Sequence, residues 1–139
     1  MASVHSLFRA PKKLLPMEEL QEAQVVNDFG MQGCAHARPG RKRQVLLVDK
    51  ETLEAMDLQP GILRENITTT GLNVNSLAIG QQLRVGKTLL EVSEICTPCD
   101  QMEKIRPGLR KELWGRRGML CQVVEGGIIR RGDTIEKIS

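Results

Sequence analysis

Two cysteines, Cys96 and Cys99, stand close together in "EICTPCD", Glu94 to Asp100. A pair with two residues between can be half of a zinc site, a redox couple, or one working thiol beside a bystander. Structural zinc takes four ligands, commonly as two close pairs. The other close pair here is Cys34 and His36, whose single intervening residue suits finger geometry poorly. A thioredoxin-like couple places its first Cys at a helix N-terminus, near a βαβ unit. Cys96 instead follows directly from the strand-like run "LLEVSEI", and Pro98 biases the chain there away from helix. A helical turn can start only beyond it, into Asp100-Gln101-Met102-Glu103. The local chemistry therefore favours one exposed thiolate, Cys99, with Cys96 nearer the strand end.

The second dense stretch is "ILRENITTTG", Ile62 to Gly71. Arg64 offers a fork of donors matched to phosphate, and Asn66, Thr68 and Thr69 add neutral hydrogen bonds. The bland alternative is a strand with a wet threonine face and an Arg64–Glu65 pair. Basic residues also gather in "RPGRKR", at Arg38, Arg41, Lys42 and Arg43. Such a run is either a solvated loop or an anion site, with phosphate as the favoured anion.

The elements that must position these residues are mostly strands. "SVHSLF" alternates, and "QVLLV" is a short apolar run suited to a buried strand. Asp49 is a good N-cap for "KETLEAM", where Leu53 and Met56 share one helix face. "NITTTG" is β-branched. Leu83 and Val85, then Leu90 and Val92, alternate on either side of Gly86-Lys87 and predict a hairpin. "MLCQVVEGGIIRRGDTIEKI" predicts a strand, a Gly126-Gly127 turn, a short segment, a Gly132-Asp133 turn and a last strand. "DQMEKI" and "LRKELW" supply short helical turns broken by Pro107-Gly108. Many short strands and few helices predict a mostly β, closed barrel, because closure removes exposed edges.

The 139 residues suffice for one domain, 1–139, with its own core. Aromatics are limited to Phe8, Phe29 and Trp114, so stacking platforms for single-stranded nucleic acid are missing and no nucleic-acid partner is expected. The formal charge of +3 fixes no partner. No apolar run approaches the length of about 20 residues that spans a membrane, and the N-terminus lacks a signal-peptide core. A cytoplasmic protein without membrane partners is expected. Cys34, Cys96, Cys99 and Cys121 then read as ligands, reactive thiols or packing before disulfides.

Taken in order, these stretches resemble the MOSC domain, named for the C-terminal domain of molybdenum-cofactor sulfurases. The resemblance runs through "GILRENITTTGLNVNSLAIGQQLRVGKTLLEVSEICTPCDQM". Upstream, "GMQGCAHARPGRKRQVLLVDKETLEAM" is similar to the family's Gly-Asp-x-His segment and Arg-Gln-Val strand. Downstream, "VEGGIIRRGDTIEKI" resembles its closing strands. The order of the motifs is more specific than any one of them.

The resemblance implies a closed barrel of the MOSC or pyruvate-kinase-barrel kind with a few short helices. It implies binding of the molybdenum cofactor, molybdopterin. Arg64 and Asn66 match the family's Arg-x-Asn motif associated with the cofactor. Thr68, Thr69 and His36 are candidate pocket residues. Cys99 matches the cysteine that resembles a direct molybdenum ligand in amidoxime-reducing members and has been viewed as a sulfur carrier in the sulfurase branch. Cys34 stands where the family's Gly-Asp-x-His segment has its acid. Three functions follow from this. The first is a cofactor protein that reduces N-hydroxylated substrates or carries the cofactor. The second is a sulfur-transfer protein with a Cys99 persulfide. The third is a non-enzymatic barrel binding another ligand or protein. The chain has no segment resembling an iron–sulfur or aminotransferase-like domain, so a separate electron-donor or sulfur-donor protein is expected.

Overall fold

Short alternating runs do become strands in the computed structural model, which describes residues 1–13 and 15–138. In chain order these are β1 (Ser3–Arg9), β2 (Glu18–Leu20), β3 (Glu22–Val26), β4 (Gly30–Met31), β5 (Val45–Asp49), β6 (Ile67–Thr70), β7 (Gln82–Val85), β8 (Thr88–Ile95), β9 (Met119–Glu125), β10 (Gly127–Arg130) and β11 (Ile135–Ile138). The helices are α1 (Lys50–Ala55), α2 (Gln101–Ile105) and α3 (Leu109–Glu112). The predicted caps hold locally. Asp49 accepts the backbone N–H of Thr52 at 3.2 Å and starts α1, whose Leu53 is buried. Pro107-Gly108 separates α2 from α3 as expected.

Eight strands form one sheet in the order β11-β7-β8-β9-β5-β6-β1-β2, and β10, β3 and β4 form a small second sheet. The predicted hairpin is β7–β8, paired from Val85↔Thr88 to Gln82↔Glu91. β5 and β6 are parallel neighbours, with Leu47 opposite Ile67, and α1 makes the crossover that a parallel pair requires.

The expected closed barrel does not form. β1 divides its free edge between two partners: Leu7 to Arg9 pair with β2, while Ser3 makes a single bridge to Thr134. Near that bridge the backbone N–H of Val4 donates to Asp133 O at 2.8 Å and that of Ile135 to Ala2 O at 2.9 Å. The sheet curls until its ends touch but no ladder joins β1 to β11. Gly126-Gly127 is not a hairpin turn either. It carries the chain from the large sheet to the small one, where β10 pairs with β3.

β5 is buried along its whole length, and its side chains feed two different cores. Val45 and Leu47 point into the larger one, with Leu7, Ile67, Leu83, Leu90 and Cys121. Leu46 and Val48 point to the other side, into a smaller core with Leu53, Leu63, Met102, Leu109 and Leu113 beneath the helices. This is the two-faced burial that a continuous apolar run signals. Cys96 belongs to the smaller core. Its backbone N–H donates to Gly118 O at 3.1 Å, which fixes the end of β8 against the start of β9. Gly118 has φ of 110°, and a Cβ there would collide with the carbonyl of Leu47, so β9 can enter this close to β5 only on a glycine.

Candidate functional site

A cleft of about 630 Å³ opens on the side of the sheet that carries the smaller core. Its floor includes Leu46 of β5, Leu120 of β9 and Asn66, just ahead of β6. Its charge is lopsided. Lys13, Arg38, Arg41, Lys42, Arg43, Arg64 and Arg117 line it, against one carboxylate among the described residues, that of Glu94. A concave wall of one sign focuses potential and raises the local concentration of anions.

Arg64 sits where the chain between α1 and β6 turns back on itself. Its backbone is left-handed, φ 62°, a conformation that costs a non-glycine residue about 1 kcal/mol or more. The turn is held from both sides. The backbone N–H of Arg64 donates to Gly61 O at 3.0 Å. The fully buried Glu65 accepts from Gly61 N and from Thr68 Oγ1, both at 2.8 Å. Glu65 therefore braces the loop and is not the ion-pair partner of Arg64. The guanidinium of Arg64 donates through Nη1 to Leu15 O at 2.5 Å, and its buried Nη2 has no partner among the described residues.

Arg117 is the residue that sequence reasoning missed. It is 7% exposed, and its Nη2 donates to Leu63 O at 2.7 Å. Nε and Nη1 are buried and without partners among the described residues. Arg117 thus grips the backbone next to Arg64 and leaves most of its fork free. The only sequence signal was a second arginine in "GRRG" before a strand, which cannot be told from a solvated pair until Gly118 draws it inside.

Asn66 lines the cleft but spends its amide on the fold. Nδ2 donates to Phe8 O at 3.2 Å and to Cys34 Sγ at 3.4 Å, and Oδ1 accepts from Leu46 N at 3.0 Å. It stitches three strand regions together at the cleft wall. His36 lines the cleft beside Ala35. Cys34, just behind them, also accepts from Ala10 N at 3.4 Å. Burial pushes the Cys34 thiol up, but hydrogen bonds from His36, Ala10 and Asn66 outweigh it and bring the pKa down to about 7.

The basic loop between β4 and β5 is tied down by Gln44, 1% exposed. Its Nε2 donates to Arg38 O at 3.0 Å and Asp28 Oδ1 at 3.1 Å, while Oε1 accepts from Val123 N at 2.9 Å. Ser93 adds a short hydrogen bond to Lys42 O. The cluster of Arg38, Arg41, Lys42 and Arg43 therefore belongs to the cleft wall.

Thr68 and Thr69 lie outside the cleft. Both are fully buried; the Thr68 hydroxyl is committed to Glu65, and that of Thr69 has no partner among the described residues. The two cysteines separate as their surroundings suggested. Cys99 is exposed, its carbonyl accepting Met102 N at 3.0 Å as α2 begins, whereas Cys96 is 4% exposed. Yet Cys96 lines the cleft and Cys99 does not. Burial raises the pKa of Cys96, opposed by the charges of Arg117 and Arg43. No group of three or more His, Cys, Asp or Glu gathers at metal-binding distance among the described residues, so the paired-ligand arrangement of a zinc clip is not assembled.

A mostly β domain with a basic cleft beside a Cys-x-x-Cys segment is the class of protein that fold and site define. The MOSC domain family matches residues 36–136, and the chain belongs to that family, which is associated with molybdenum-cofactor binding. Its fold is similar to that of the YuaD protein from Bacillus subtilis, with TM-score 0.78 and 19% identity over 97% of this chain and 94% of that one. It is also similar to YiiM from Geobacillus stearothermophilus, with TM-score 0.82 and 17% identity over 100% of this chain and 76% of the other. For YiiM from Escherichia coli the TM-score is 0.73 and the identity 18%, covering 99% and 68%. No curated protein matches the chain.

Proposed function

We propose that the cleft binds the molybdenum cofactor through its phosphate, held between Arg64 and Arg117. One observation carries this reading: three buried guanidinium nitrogens, Nη2 of Arg64 and Nε and Nη1 of Arg117, lack partners among the described residues, on two arginines anchored to backbone carbonyls. Leaving a buried donor unpaired costs about 1–3 kcal/mol, and more for a charged group. A phosphate would satisfy these donors with charge-assisted, fork-matched hydrogen bonds. The cleft volume and its cationic lining also fit an anionic pterin. His36 and Asn66 would form the wall against it, and the segment carrying Cys96 and Cys99 would supply a thiolate to the metal, at Cys99 by family resemblance.

When bound, the cofactor supplies redox and oxygen-atom chemistry. The protein's own part is to hold the phosphate, exclude water with the Leu46 and Leu120 floor, and place a soft sulfur ligand. Reduction of N-hydroxylated substrates, with electrons from a separate donor protein, or carriage of the cofactor are the activities that fit. The test is retention of pterin and molybdenum by the protein after exposure to cofactor, compared with Arg64→Lys and Arg117→Gln.

A second reading is favoured by the exposure of Cys99. An accessible thiol on the lip of a short helix can take the outer, sulfane sulfur of a donor protein's persulfide, releasing the donor's thiol, and carry it as a persulfide of its own. Persulfide labelling that survives in Cys96→Ser and disappears in Cys99→Ser would support it. No helix of the described residues is long and apolar enough to cross a membrane.

A further inference from the structure

Leu109 and Leu113 anchor the α3 segment in the smaller core, so its packing does not call on Trp114. That residue, the one tryptophan of the chain, is 68% exposed. It lines a surface hollow of about 510 Å³ with Asp100, Glu103, Gly108, Arg110 and Lys111. The hollow stays open at Gly108, where no atom lies within 4 Å of the place a Cβ would occupy. A large, rigid ring and an arginine beside an open hollow have the composition of an interface anchor.

Charge decides what kind of surface fits. The carboxylates of this face are spent locally, Glu112 on Arg106, Asp100 on Arg110, and Glu103 on the backbone N–H groups of Gly108 and Arg110. Lys104, Lys111 and Arg116 are exposed and form no ion pair among the described residues. The face is therefore cationic toward anything that approaches. A second copy of the chain would set like charges against one another. A phosphate-dense polymer or bilayer would also press against Asp100 and Glu103. An acidic protein surface meets the cations and leaves those carboxylates paired. Cys99 precedes Asp100 and is exposed, whereas Cys34, Cys96 and Cys121 are buried, so a partner seated here sits beside the accessible thiol.

We propose that the α2–α3 face docks the sulfur-donor protein of Cys99, a partner with an acidic contact surface and an apolar anchor that seats on Trp114. This rests on the reading of Cys99 as a sulfur carrier. In the transfer, the Cys99 thiolate attacks the outer sulfur of the donor's cysteine persulfide. A sulfur–sulfur bond forms at Cys99, the donor's breaks, and the proton given up by Cys99 ends on the departing donor thiol, with no net oxidation.

The probe is a synthetic peptide with a leucine and one cysteine set among glutamates, its thiol activated as a pyridyl disulfide. Attack by Cys99 joins the peptide to the protein and releases thiopyridone, followed by absorbance, and peptide mass spectrometry reads the site. A peptide with lysines for the glutamates and neutral dipyridyl disulfide are the controls. The glutamate peptide should modify Cys99 on the order of tenfold faster than the lysine peptide, as electrostatic steering predicts. Lys111→Glu combined with Arg116→Glu should reverse that order, and Trp114→Ala should slow the glutamate peptide. The neutral reagent should react alike with every form. Equal rates for the two peptides, an order that the charge reversal leaves unchanged, or a full rate in Trp114→Ala would overturn the docking surface. Docking alone is read by Trp114 fluorescence with a glutamate peptide that has serine for its cysteine. If that peptide docks and Cys99 never takes persulfide label, the sulfur-carrier reading fails and the surface stands. A Trp114 response to phosphatidylglycerol vesicles with none to the peptide would assign the face to a membrane and overturn the proposal.

Discussion

Two arginine-rich regions of the molecule use the same side chain in opposite ways. On the α2–α3 surface, Arg106 donates to Glu112 at 2.7 Å and to Met56 O at 2.8 Å, and Arg110 pairs with Asp100 at 2.5 Å. Glu103 accepts the backbone N–H groups of Gly108 and Arg110, both at 2.9 Å, which holds its carboxyl below the usual range. Trp114 lies exposed beside them. In the cleft, by contrast, Arg64 and Arg117 lean on main-chain carbonyls and keep nitrogens without partners among the described residues. A carbonyl anchors a guanidinium without neutralising it. Charge marks a site when it is fixed in place and left unpaired.

The largest effect should come from breaking that arrangement at its core. Arg117→Gln keeps a polar side chain but removes the charge and most donors, and phosphate affinity should fall by about 2 kcal/mol or more, some thirtyfold in Kd by calorimetry. Arg64→Lys retains charge and loses the fork, so a smaller loss is expected, on the order of tenfold, with the thermal melt little changed. The opposite surface supplies the contrast. Asp100→Ala frees Arg110 from an exposed pair, which should alter stability by at most about 0.5 kcal/mol in urea unfolding and leave phosphate binding untouched. A comparable loss of binding in Asp100→Ala and Arg117→Gln would erase the distinction between the two regions.

Much of this contrast was visible in the residues, and some was not. β5, β7, β8 and β9 follow from short alternating or fully apolar runs, and the Asp49 cap and the Pro107-Gly108 break are local signals that local physics honours. The different exposure of Cys96 and Cys99 follows from a strand end and Pro98. The strands β2, β3 and β4 were not legible, because "EEL", "EAQVV" and "GM" carry too few apolar positions to declare a period. The unclosed sheet depends on β1 being shared between β2 and Thr134, a long-range competition no window contains. Arg117 and the cleft-facing side of Cys96 were hidden for the same reason: tertiary packing around Gly118 decides both. Glu65, which looks in sequence like the partner of Arg64, turns inward to brace the loop instead.

Cys34 gives a quieter test of the cleft wall. Its pKa is about 7 in the folded protein against an ordinary value of 9.0, so the folded state holds the thiolate better than the unfolded chain does. A depressed pKa contributes stability that is fully present above the unfolded value and is lost as pH falls through the folded one. Wild type should therefore gain stability from pH 7 to pH 9 relative to Cys34→Ser, measured by urea unfolding at each pH. Parallel pH curves would mean that His36, Ala10 and Asn66 do not stabilise a thiolate there.

Cofactor retention separates the two arginine regions most directly. Wild type, Arg117→Gln and Arg110→Gln, each shown to be folded by its thermal melt, are exposed to molybdenum cofactor, desalted, and assayed for pterin by fluorescence after oxidation and for molybdenum by mass spectrometry. Wild type and Arg110→Gln should retain both, and Arg117→Gln should lose them. Equal retention by all three, or none by wild type, would contradict the assignment of the cleft as the cofactor site.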